Sequence, residues 1–229
     1  MNARAAVVAC TFCLALGVAC ASSSTGQASA PSTGASLVPA PEPSPTGTPT
    51  SPSGVPPAAD TEETAAPAAG ACGTERWAVK TGTDAAAVQV DTTHVQDSTV
   101  TALGAVPRPT DPTTRVPGVE TTVYRIRATL TSYKLESDSD LHLVLSAGAG
   151  HTMIGEIPSP HCDAGSAFAT PIATARAAFD THLREEDGFV SDGESVTLTG
   201  VGFFDFDHGQ RGVAPNAIEL HPVLSISFG

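Results

Sequence analysis

Aromatic residues are scarce in this chain, 5% of 229, and Trp77 is its single tryptophan. Basic residues are as few: 11 Lys and Arg stand against 24 Asp and Glu, a formal net charge of −13. They are scattered, from Arg76 and Lys80 through Arg125, Arg127 and Lys134 to Arg211, and no run of them forms a stripe that tracks phosphates. The excess negative charge repels nucleic acid and anionic membrane surfaces, which disfavours both as partners of the folded part. Signature motifs are missing too. The sequence holds no Gly-x-Ser-x-Gly elbow, His-Glu-x-x-His pair, P-loop or dinucleotide fingerprint.

What is present begins with an export signal. Arg4 supplies a positive start, and Ala5 to Val18 is an almost unbroken apolar run. Its length suits a signal peptide and is too short for a membrane-spanning helix. Two processing readings stand for residues 1–21. Ala19-Cys20-Ala21 fits the small-x-small site of ordinary signal peptidase, whereas Gly17-Val18-Ala19-Cys20 fits a lipobox in which Cys20 is acylated. On the second reading, the membrane is reached only through a lipid anchor at Cys20. The protein is expected outside the cytoplasm, at the outer face of the cell membrane or secreted. Of the five cysteines, Cys10 and Cys13 lie in the removed segment and Cys20 is the lipid candidate. Cys72 and Cys162 remain, and two cysteines in an oxidising compartment predict one disulfide.

Residues 22–71 are dominated by Ser, Thr, Pro, Gly and Ala. Such a segment cannot bury enough apolar surface to offset its ordering entropy, so it reads as a disordered, proline-stiffened tether. From Cys72 to the C-terminus the composition is that of one folded domain. Short β-like pieces, Val88–Val90 and Thr99–Leu103, come first. Val119–Leu135 then alternates Tyr124, Ile126, Ala128 and Leu130 with Arg125, Arg127, Thr129 and Thr131, the period of a half-buried strand. A second strand carries Leu141, Leu143 and Leu145, with His142 on the other face. A third runs from Met153 to Ile157. Thr170 and Pro171 mark the start of a helix whose Ile172, Ala175, Phe179 and Leu183 fall near helical spacing. Strands over Val196–Phe206 and Ile218–Phe228 follow, and Pro222 in the last suggests an edge or a bulge. Three strands, a helix and two strands is the chain order of an OB-like five-stranded barrel; a β-sandwich is the rival architecture.

Three blocks carry a resemblance: Val123-Tyr124 with Tyr133 to Leu145, then Thr152 to Pro158, then Gly202 to Gln210 continuing through Asn216 and Glu219 to Val223. In these the chain resembles a family of uncharacterised exported bacterial proteins and lipoproteins with a single OB-like domain. That resemblance implies the fold and the export but no particular chemistry. A more distant similarity is to thermonuclease-like OB folds, through the acidic first turn and Glu156-Ile157-Pro158. That chemistry needs arginines on the transferred phosphate, and Met153 to Glu156 holds none.

In an OB barrel the first and last inter-strand loops flank the ligand face. The first loop here carries Glu136, Asp138 and Asp140, followed by His142. The second carries Asp205, Asp207, His208, Gln210, Arg211 and Asn216, followed by Glu219 and His221, two apart and so on one face. Asp138, Asp140, His142, Asp205, His208, Asn216, Glu219 and His221 are the candidates for holding a divalent cation or a small polar ligand; carboxylates favour Ca²⁺, Mg²⁺ or Mn²⁺, and imidazoles add Zn²⁺. The competing reading is structural: turn Asp and Ser residues bond their own backbone, and His221 beside Glu219 is a satisfied pair. Arg125 and Arg127 read as an anion site or a solvated face. Trp77 and Tyr133 read as sugar-stacking platforms or core. The functional expectation is a binding module for a protein, glycan or small polar ligand. A metal-assisted hydrolase and a purely structural envelope protein are the alternatives.

Overall fold

The computed structural model describes residues 70–110 and 112–229. The signal segment, Cys20 and the tether up to residue 69 lie outside them. Among the described residues, no helix is long and apolar enough to cross a membrane.

The longest strand, β2 (Val123–Leu135), organises the domain. Its first half pairs antiparallel with β6 (Ser195–Phe204), and its second half with β3 (Leu141–Gly148). The changeover falls at an irregularity between Leu130 and Ser132. β3 pairs with β4 (His151–Ile157), β4 runs parallel to β7 (Ile218–Phe228), and β7 returns antiparallel to β6. The sheet therefore closes on itself as a five-stranded OB-like barrel, which a two-sheet sandwich does not do. Two short strands lie along β2: β1 (Val95–Asp97) parallel to it and β5 (Val190–Ser191) antiparallel.

The alternation in β2 is as the sequence predicts: Tyr124, Ile126, Ala128 and Leu130 are buried, and Arg125, Arg127 and Thr129 are exposed. The interior is filled by Leu141, Leu143, Leu145, Met153, Ile157, Leu198, Leu220 and their neighbours. Burying each such side chain contributes about 1.5–3 kcal/mol before entropy is counted. α3 (Ala169–His182) bridges β4 to β5 and sets Ala175 and Phe179 into this core, with Phe179 edge-on to Tyr133 at 5.2 Å between ring centroids. Tyr133 is thus a core residue and no sugar platform.

Some local expectations are corrected. Thr99–Leu103 is not extended: the Thr99 hydroxyl accepts from Ala102 N and starts helix α2 (Val100–Gly104), which turns Val100 and Leu103 inward. Val88–Val90 falls at the end of a 3₁₀ turn, Ala85–Gln89, capped by the Asp84 carboxylate. α3 begins a residue before Thr170, with Phe168 at its cap and no side-chain cap bond. The alternation of β7 would set Ile218, Leu220, Leu224, Ile226 and Phe228 on one face, but β7 shifts register against β6 between Thr199 and Gly202, and Leu224 instead joins Val123, Val201, Phe168 and Ile172 in a smaller cluster.

The N-terminal segment Gly70–Gly82 is tied down by the predicted disulfide, Cys72–Cys162, with 5.6 Å between the Cα atoms. It carries the short helix α1 (Trp77–Thr81), which ends on Gly82 in the left-handed region (φ 70°). A side chain at Gly82 would collide with the Phe168 ring. This strap packs against β7.

Candidate functional site

Gly155 faces the barrel interior, since a Cβ there would meet Leu145, Leu198 and Val223. Its neighbour Glu156 therefore points outward. In register, Lys134 on β2 lies opposite His142 on β3, and His142 opposite Glu156 on β4. The parallel pairing of Gly155 with Leu220 places His221 of β7 next to Glu156. One row across four strands thus reads Lys134, His142, Glu156, His221. This is the outer face of the second and third barrel strands, where OB folds bind their ligands.

The row is buried and densely bonded. His142 Nδ1–H donates to Glu156 (3.2 Å) and lies 3.0 Å from Glu136, while its Nε2–H donates to the Arg211 carbonyl (2.9 Å). The carbonyl on Nε2 and the ionised carboxylates on Nδ1 only accept, so both ring nitrogens carry protons and His142 is an imidazolium. Burial alone would lower its pKa, but Glu136 and Glu156 hold it up at about 10. His221 Nδ1 donates to Glu156 (2.8 Å) and Glu219 (3.2 Å). Burial pushes Glu156 up, yet His221, Lys80 and His142 bring it well below the usual carboxylate range. Glu219 goes the other way, to about 8, through burial and the charges of Glu156 and Asp205. Asp138 is also raised to about 8, by burial and by Asp140 and Glu156. Carboxyl groups outnumber cations in this layer, so they cannot all be ionised at neutral pH without a further positive charge.

Three elements seal the row. The strap sends Lys80 Nζ to Asp205 (3.0 Å), and Gly73 passes between Trp77 and Asp138. The loop after β6 brings Arg211, and the loop after α3 brings Phe189. The Phe189 ring lies 4.0 Å from the Arg211 guanidinium, 5.0 Å from the Lys134 ammonium, and edge-on to His142. As a result Asp140 and His221 are 0% exposed, and Glu156 is 5%.

Of the candidates from the sequence, Asp138, Asp140, His142, Glu219 and His221 come together on this face, and Asp205 joins through Lys80. His208 does not: its Nε2 pairs with Glu75 of the strap at 2.9 Å. Asn216 stands apart as well. Its amide donates to the carbonyls of Leu103 (2.9 Å) and Val106 (2.7 Å), and its Oδ1 accepts from Ile218 N. Asn216→Ala is expected to cost about 2 kcal/mol by orphaning these buried backbone groups, read by urea denaturation, without disturbing the polar row. Glu156, Glu136, Lys134 and Lys80 are the members that sequence reasoning left out. Glu156 alone carried a signal, a charged residue inside the otherwise apolar strand β4. Arg125 pairs with exposed Asp97 at 2.6 Å, as on a solvated face. No protein-family model matches this chain, and neither do any curated protein or solved structure.

Proposed function

We propose that the chain is an exported, tethered binding module that takes a polar, sugar-like ligand in the groove beside Trp77. One observation carries this reading. The face on which an OB barrel ordinarily binds is sealed by the chain itself, while Trp77 is only partly covered and lines an open groove of about 580 Å³ with Thr74, Asp84, Thr113, Thr114 and Arg115. An aromatic ring flanked by hydroxyls and fixed charges suits a polyhydroxylated ligand, which stacks its apolar face and hydrogen-bonds its rim. Among the described residues the exposed large apolar side chains are Val88 and Val95, which offers little to a flat, apolar protein interface. The disulfide supports an oxidising compartment, and the tether with Cys20 supports display at the cell envelope.

Because Trp77 is the only tryptophan, its emission reports directly on the groove. Titration with soluble oligosaccharides, including fragments of cell-wall glycan, is expected to shift or quench it. In calorimetry Trp77→Ala is expected to weaken the same binding about 30-fold, the loss of a hot-spot aromatic. Unchanged emission and no heat with every oligosaccharide at millimolar concentration would refute the reading. The second reading, metal-assisted hydrolysis, draws on the carboxylate–imidazole row. It requires an open metal position that a substrate reaches, and the burial of the row counts against it. Turnover of an activated phosphodiester with added Mn²⁺ or Zn²⁺ would favour it instead.

A further inference from the structure

Two buried polar atoms in the row lack hydrogen-bond partners, Asp140 Oδ2 and His221 Nε2. They face each other at 3.2 Å as an ion pair without a well-directed hydrogen bond, and burial, which opposes the charge, is outweighed by Glu156, Asp140 and Glu219, so the His221 imidazole is held protonated. Everything else around them is satisfied. Asp140 Oδ1 accepts from Ser159 N, and His221 Nδ1 donates to Glu156 and Glu219. The carboxylates on Nδ1–H orient the ring so that Nε2 faces Asp140, and once Nε2 gives up its proton this is the arrangement around metal-bound histidines. Two ligand atoms that each lie 2.0–2.2 Å from one ion sit about 3–3.5 Å apart.

We propose that Asp140, Glu156 and His221 form a buried site for one first-row divalent metal ion. Each offers a donor atom, and the three atoms lie within 4.8 Å of one another. Nε2 of His221 and Oδ2 of Asp140 are the direct ligands. Glu156 holds the ring and adds negative charge beside the ion. On binding, the ion replaces the Nε2 proton, which leaves to solvent. One imidazole with carboxylates selects Zn²⁺ or Mn²⁺ over Ca²⁺. The neighbouring group of Glu136, His142 and Glu156 is no rival: both His142 nitrogens already donate, and the Lys134 ammonium lies 3.3 Å from Glu136. The ion's role is structural. It ties the 136–140 loop to β7 beneath the strap, and the proposal does not rest on the Trp77 groove.

The test uses the purified full chain without a polyhistidine tag. Elemental analysis is expected to find about one equivalent of metal per chain. EDTA is expected to lower the Tm, and Zn²⁺ or Mn²⁺ at about a hundred times Kd to restore it by roughly 5–10 °C; the ion that restores it is the ion of the site. Asp140→Asn keeps the acceptor for Ser159 N, and His221→Asn keeps a donor near the Nδ1 position. Both are expected to hold no metal and to lose the EDTA response. Failure of the wild-type chain to bind or respond to any ion overturns the proposal, as does undiminished binding in both variants. If either variant does not fold, the wild-type arms decide alone.

Discussion

Glu120→Ala is expected to lower the unfolding free energy by about 4 kcal/mol and the Tm by roughly 8–16 °C. Glu120 is 0% exposed and lies in the turn before β2. Its carboxylate takes both terminal nitrogens of Arg76, at 2.9 and 2.8 Å, together with the backbone N–H groups of Val116 (2.6 Å) and Phe204 (2.8 Å). Arg76 in turn donates to the Phe204 carbonyl and lies 4.5 Å over the Phe203 ring. Truncation leaves a guanidinium 4% exposed without its counter-charge, and it strands two amide donors. Each loss is of the kind that cannot be recovered from water. The pair as a whole is not thereby a large net stabiliser, because burying both ions has already cost much of their attraction. Glu120→Gln keeps an acceptor for part of this set and is expected to cost about half as much. Equilibrium urea denaturation checks both. An alanine variant within about 1 kcal/mol of wild type would show that the strap is not held by this pair.

The barrel was legible wherever its cause was local. Period-2 alternation marks β2 because its neighbours on either face are water and core, and the limits Ile218–Phe228 hold at both ends. The Cys72–Cys162 bridge followed from elimination among five cysteines. What stayed hidden is set by distant chain. Glu156, Lys134 and His142 occupy outward positions that periodicity assigns to solvent. They are buried because a strap far back in sequence and two later loops close over them, and no pattern within a strand encodes that cover. The same strap takes His208 away from the cluster through Glu75. Lys80 sits on a helix too short to show an amphipathic period, so its aim at Asp205 was unreadable. Asn216 reads from sequence as a loop ligand, whereas its three hydrogen bonds close the turn into β7 and hold down the end of α2.

Replacing Cys72 and Cys162 together by serine is expected to destabilise the domain by about 3–4 kcal/mol, with a steeper dependence on denaturant because the unfolded chain loses its cross-link. The bridge closes a separation of 90 residues, for which the chain-entropy account gives about 4.6 kcal/mol and measured losses run roughly 2–5 kcal/mol. The loss acts mainly on the unfolded chain. In the folded chain the strap keeps Arg76 on Glu120, Lys80 on Asp205, and Thr81 O as acceptor for the Ser166 hydroxyl (2.5 Å). The strap is therefore expected to stay docked in the double variant, with Trp77 emission and amide protection along α1 close to wild type below the transition. Cooperative unfolding then begins at lower urea for the whole domain at once. A denaturation midpoint equal to that of the oxidised protein would refute the constraint. Early loss of protection confined to Gly70–Gly82 would show instead that the disulfide, and not the buried ion pairs, keeps the polar row covered.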